Sequence, residues 1–129
     1  MKSIKWKAKC KALIHYIVIC ICLSSATLTT AAEFDLNNLT IKKIRAVGSY
    51  SNSIYANTVE LWFTTPLTYP NGMRCNETTR VYIDIKHKQI ISTAYLAVAT
   101  GKKVNIHIDD ALPIRTGSCE ISFLDLENT

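Results

Sequence analysis

From Gln89 to Ile108 the alternation of apolar and polar residues changes period once, and the change marks the junction of two elements. Stepping about 100° per residue from Ile91, the side chains of Val98, Ala94, Ile90, Ala97 and Tyr95 gather on one side of a helix. Ser92, Thr93 and Thr100 fall on the opposite arc, with Leu96 among them. Gly101 stands where a left-handed residue closes a helix, and Lys102 and Lys103 suit its negative end. Beyond it the period is 2. Val104, Ile106 and Ile108 point one way, and Lys103, Asn105 and His107 the other.

The same reading places four more strands. Leu39, Ile41, Ile44 and Ala46 alternate if Lys42-Lys43 hosts a bulge, which predicts a bent first strand over 39–48. The turn-rich Gly48–Asn57 follows as a loop. Thr58–Thr65 alternates cleanly, with Val59, Leu61 and Phe63 inward and Thr58, Glu60, Trp62 and Thr64 outward. Pro66 ends that strand, and Pro70-Asn71-Gly72 marks a turn. Thr79–Ile85 is the third strand, with Val81, Ile83 and Ile85 inward and Arg80, Tyr82 and Asp84 outward. The last strand is Cys119–Leu126, with Ile121 and Phe123 inward and an irregularity at Leu124. The order β-β-β-α-β-β predicts a mainly β domain: a small five-stranded OB-fold-like Greek-key barrel with one helix between strands 3 and 4. Ile91, Ala94 and Val98 of the helix cover its core. A flat α+β sandwich is the structural alternative.

Residues 1–32 stand apart from this pattern. Lys2, Lys5, Lys7, Lys9 and Lys11 precede the apolar run Ala12–Leu23, and small residues at Thr30 and Ala32 follow, as in a secretory signal peptide cleaved before Glu33. The cleavage point can move by a residue or two. The apolar run is too short for a membrane anchor, which needs about 18 residues or more. The mature domain is then 33–129, directed to the periplasm or the exterior, with no membrane span after cleavage. Its ten Lys and Arg balance ten Asp and Glu, so the basic character of the whole chain belongs to the leader. That neutrality argues against nucleic acid as a partner. Cys10, Cys20 and Cys22 leave with the leader. Cys75 and Cys119 remain, and in an oxidising compartment one pair of thiols reads as a disulfide.

No catalytic residue emerges. There is no phosphate-binding glycine loop, HExxH or GxSxG, and no cofactor or metal site is expected. His107-Ile-Asp109 puts a histidine and a carboxylate on one strand face, which is short of a specific metal site. Asp109-Asp110 reads as a polar turn. Asn38-Leu-Thr40 and Asn76-Glu-Thr78 match the glycosylation sequon, relevant only in a host that glycosylates exported chains. Trp62, on the polar face of its strand, offers flat area for stacking on a sugar ring or a protein surface. The plainer reading is that it caps one end of the core. Leu96 projects about 140° from Ile91, where a monomer favours a polar residue, and so marks an oligomer interface or a single exposed leucine.

Ser92-Thr93-x-Tyr95 followed by Thr100-Gly101-x-x-Val104-x-Ile106, with one cysteine before and one after, resembles the B subunits of subtilase cytotoxin and related pertussis-like AB5 toxins. The similarity runs from Cys75 to Cys119. It implies a secreted OB-fold that assembles as a homo-oligomer of five, binds host glycans without catalysis and serves a catalytic toxin-like subunit. The family's sugar pocket uses a serine and aromatics near the first strands. By region, this points to Thr40, Ser49, Tyr50 and Ser51, with Trp62 beside them. A periplasmic or secreted interaction module, an inhibitor or adaptor without a sugar site, is the alternative.

Overall fold

The structure is a computed structural model that describes residues 31–49 and 52–127. Most of the predicted leader, and Tyr50 and Ser51 of the predicted sugar site, lie outside the described residues. The chain from Ala31 onward forms one structural unit. Its elements are β1 (Glu33–Leu39), β2 (Ile41–Val47), β3 (Thr58–Phe63), β4 (Arg80–Asp84), α1 (Lys88–Thr100), β5 (Val104–Asp109), β6 (Ile114–Arg115), β7 (Ser118–Cys119) and β8 (Ile121–Leu126). The strands make three antiparallel sheets, ordered β1-β5-β8, β2-β3-β4 and β6-β7. Among the described residues the fold is mainly β, with one helix.

Among the described residues, eight strands in three sheets stand in place of the predicted five strands of a closed barrel. The predicted first strand, over 39–48, corresponds to β2, and β1 ahead of it is a strand the pattern did not reveal; the chain changes sheet at Thr40, so that β1 pairs with β5 and β2 with β3. Lys42 is the extra residue in the β2–β3 ladder, where a bulge was expected. Asn38, in the left-handed region at φ 62°, falls within a second irregularity, between Leu36 and Leu39. β6 and β7 form a short hairpin that the pattern did not reveal. Between the two larger sheets, one parallel bridge, Tyr82 to Glu120, is made among the described residues, so no continuous ladder closes them into a barrel.

Val59, Leu61, Phe63, Val81, Ile83, Val104, Ile106 and Ile121 are buried as the alternation requires, joined by Leu39, Leu67, Ile108 and Leu124. Two inward assignments fail. Between His107 and Ile108 the β5–β8 register slips by one residue, leaving Ser122 as the extra one. Phe123 therefore turns out, 45% exposed, and Leu124 turns in. Ile85 lies past the end of β4 and is also exposed.

α1 packs chiefly on β8 and β2. It ends as expected: Gly101 adopts φ 67° and its N–H donates to the carbonyls of Ala97 and Val98. Lys102 N–H returns to Ala97 O at 3.1 Å. The buried residues are Ala94 and Ala97, with Ile90 and Ile91 partly covered. Val98, expected inside, is exposed, and so are Tyr95 and Leu96. The helix is rolled so that its two alanines meet the sheets and the bulkier Tyr95 and Val98 overhang. Small residues permit the closer approach of backbone to sheet.

Candidate functional site

The outer face of β2-β3-β4 carries a concentration of charged and aromatic side chains. Residues on alternate positions of neighbouring strands share a face, so Lys43 and Arg45 of β2, Glu60 and Trp62 of β3, and Arg80 of β4 meet there. Glu60 has no exposed surface although its strand position reads as outward. Arg45 Nε donates to its Oε2 at 2.5 Å, and Arg80 Nη1 to its Oε1 at 2.8 Å. Burial of a carboxylate requires this kind of pairing.

Arg80 is the hub. Its guanidinium lies 4.6 Å from the centre of the Tyr55 ring and 5.6 Å from that of Trp62, and its Nη2 donates to the Tyr55 hydroxyl at 2.8 Å. Tyr55 in turn donates to Arg115 O at 3.0 Å, which draws the loop after β2 over the sheet. Just before β4, the Thr79 hydroxyl and main-chain N–H donate to Glu77 and hold its carboxyl below the usual carboxylate range, with Arg80 adding to the effect.

Trp62 is half-buried on this face and outside the core. Lys43 Nζ stands 4.5 Å and Arg45 Cζ 4.7 Å from its ring centre. A cleft of about 600 Å³ opens beside it, lined by Lys42, Lys43, Trp62, Thr64, Thr65 and Thr79 among others. The indole is therefore a ring already attended by cations, next to threonine hydroxyls. Such a surface offers a ligand hydrogen bonds from hydroxyls, positive charge and apolar ring area together. A second cleft of about 300 Å³ lies between Arg45, Val47, Gly48, Tyr55 and Glu60.

The residues predicted for the sugar site are dispersed. Trp62 lines the larger cleft. Thr40 is one strand away, its carbonyl accepting from Thr64 N–H at 3.0 Å, and it does not line the cleft. Ser49 is exposed beyond the far end of β2, about 20 Å along the strand from Lys43 at ~3.3 Å per residue. Lys43, Arg45, Glu60 and Arg80 were not singled out from the sequence. Their signal is the cross-strand register: once β2, β3 and β4 are paired, Lys43 and Arg80 fall opposite Trp62 and Arg45 diagonal to it, opposite Glu60.

Tyr82, expected outward, is fully buried because β6 and β7 cover that side of β4. Its hydroxyl donates to Pro113 O, and Arg115 stacks 4.8 Å from its ring centre. Burial, then the charge of Glu120, pushes its pKa up to about 12. Glu120 is itself buried, with His87 Nε2 at 3.3 Å and Lys86 Nζ at 3.8 Å. On the opposite sheet, His107 does not turn to Asp109. Its Nδ1 meets Asp35 Oδ1 at 2.6 Å, and its ring stacks on Phe123 at 4.6 Å. Asp109 caps the next turn through Ala111 N–H. Among the described residues no group of three or more His, Cys, Asp or Glu is arranged to hold a metal ion, and no helix is long and apolar enough to cross a membrane. Cys75 and Cys119 are bonded, with Cα atoms 5.6 Å apart. Compared with protein-family models, curated proteins and solved structures, the chain matches none.

Proposed function

We propose that this chain is an exported, non-enzymatic binding subunit of the OB type, similar to AB5 toxin B subunits, that recognises glycans as an oligomer. The observation that carries the reading is the Trp62 cleft: an indole flanked by Lys43 and Arg45, beside Thr64 and Thr65. Aromatic area, hydroxyl donors and cations are what a hydroxyl-rich, partly anionic ligand needs. The change of sheet at Thr40, between β1 and β2, and the parallel bridge from β4 to Glu120 support the OB assignment.

The test is an array of neutral and acidic glycans probed with the exported protein. Binding is expected, stronger for acidic members, with about a tenfold loss of affinity in Trp62→Ala and in Lys43→Ala. Lys43 is exposed, so its variant keeps the fold intact and reports on the cleft alone. An array without signal, or signal indifferent to both substitutions, rejects a sugar site there.

The exposed side chains of Tyr95, Leu96 and Val98 support the oligomer, and equally favour the alternative of a protein-interaction module without a sugar site. Leu96 is 52% exposed on α1. Light scattering at micromolar concentration should give a multiple of the chain mass, and Leu96→Glu should reduce it to that of one chain. A pentamer and a catalytic partner subunit belong to the same proposal. A monomer unaffected by Leu96→Glu rejects the oligomer.

A further inference from the structure

We propose that export processing cuts the chain between Ala31 and Ala32, and that the α-ammonium so formed at Ala32 pairs with the buried carboxylate of Asp110. The inference rests on the reading of residues 1–32 as an export leader and places the cut one residue earlier than the small-residue pattern alone suggests. That pattern accepts both positions, since Thr29 and Ala31 meet the requirement for small side chains as well as Thr30 and Ala32 do.

The structure separates the two. Asp110, which the sequence presents as half of a polar turn, is 2% exposed. Its Oδ1 accepts from the main-chain nitrogen of Ala32 at 2.8 Å, and its Oδ2 from the main-chain nitrogen of Arg74 at 3.0 Å. Its own N–H donates to Ala32 O at 3.2 Å, so Ala32 and Asp110 are joined in both directions. The Arg74 guanidinium reaches Asp110 through the main-chain oxygen, at 3.1 Å. Among the described residues no side-chain cation forms an ion pair with this carboxylate. A carboxylate so deeply buried is ordinarily matched by a positive charge.

Processing supplies that charge. Hydrolysis of the Ala31–Ala32 amide by a peptidase of the export machinery breaks the C–N bond. Water gives its hydroxyl to the Ala31 carbonyl carbon and a proton to the Ala32 nitrogen. The proton of the resulting acid completes the ammonium. The nitrogen already stands 2.8 Å from Asp110 Oδ1, so an amide hydrogen bond becomes a charge-assisted one without movement. A cut after Ala32 has the opposite effect. It removes the donor to Oδ1 and the acceptor for Asp110 N–H together, leaving buried polar groups unpaired.

The test uses protein exported by cells that carry the full-length gene. N-terminal sequencing and intact mass should find Ala32 first. A chain beginning at Glu33, or at any other residue after the leader, overturns the inference while leaving export standing, whereas a chain that keeps Met1 overturns both. The pairing has its own readout. With an amine-acylating reagent at neutral pH, the Ala32 α-amine should react about tenfold more slowly than in Asp110→Asn, and equal rates overturn the pairing. Should Asp110→Asn fail to fold, the pH dependence of labelling in the unaltered protein decides. The α-amine should titrate about one unit or more above its ordinary 7.7–8.0, and an ordinary value rejects the pair.

Discussion

Arg80→Ala is expected to destabilise the protein by about 3–5 kcal/mol, measured by urea denaturation, although the residue lies on the outward face of β4. The side chain bonds Glu60 and Tyr55 and lies over the rings of Tyr55 and Trp62. Its loss leaves the fully buried Glu60 carboxylate dependent on Arg45, whose own side chain is 48% exposed. The cost arises from leaving one oxygen of that buried carboxylate without a donor, together with lost packing on Tyr55 and Trp62, rather than from the strength of the ion pair. Replacing both partners, as in Glu60→Met with Arg80→Met, should therefore recover much of the loss. A double substitution as damaging as the sum of its singles would show that the two side chains act independently. The same substitution should also impair ligand binding, since Arg80 supports one side of Trp62.

Cys75→Ala with Cys119→Ala is expected to cost about 2–5 kcal/mol, read as a lowered urea midpoint. The bond spans a sequence separation of 44, for which the loop-closure model gives about 4 kcal/mol. It ties the irregular segment before β4 to β7, next to Glu120 and the hairpin that covers Tyr82. Asn76 and Glu77 N–H both donate to Gly117 O at 3.0 Å, so the segment and the hairpin also share main-chain bonds. Loss of the disulfide should consequently expose Tyr82 as well as lower stability. Its phenolic titration should move from about 12 toward the ordinary value near 10. A double variant with unchanged urea midpoint would mean that these main-chain bonds hold the hairpin without it.

The elements whose side chains alternate against one core were legible in the sequence: β3, β4 and β5, the helix with its Gly101 cap, and the cysteine pair. What escaped was structure on the other face of the same strands. Glu60 and Tyr82 read as solvent-facing because period 2 assigns a face and carries no information about what covers it. Here the loop bearing Tyr55 and the β6-β7 hairpin cover it, and neither has a periodic signature. Phe123 was misassigned for a different reason. One extra residue at Ser122 inverts every later position of the strand, and Ser122 has no feature that announces a bulge. Val98 was misplaced because an apolar arc wider than the contact surface fixes the helix's roll only loosely. Trp62 could be singled out from its strand position. The cations around it required knowledge of which strands are neighbours.

The pairing of β1 with β5 and β8 also governs when the protein can acquire its structure. β2, β3 and β4 lie consecutively in the chain and form a meander in which each strand pairs with the next. β1 precedes them all, yet its partner begins only at Val104, and that partner's other neighbour ends at Leu126. A chain emerging residue by residue therefore carries its first strand unpaired until nearly the whole sequence is present. Closing so long a loop is entropically slow. Under the export proposed above this delay is useful: the segment that leads the way is the last to lock, and the thread stays slack until β5 and β8 arrive.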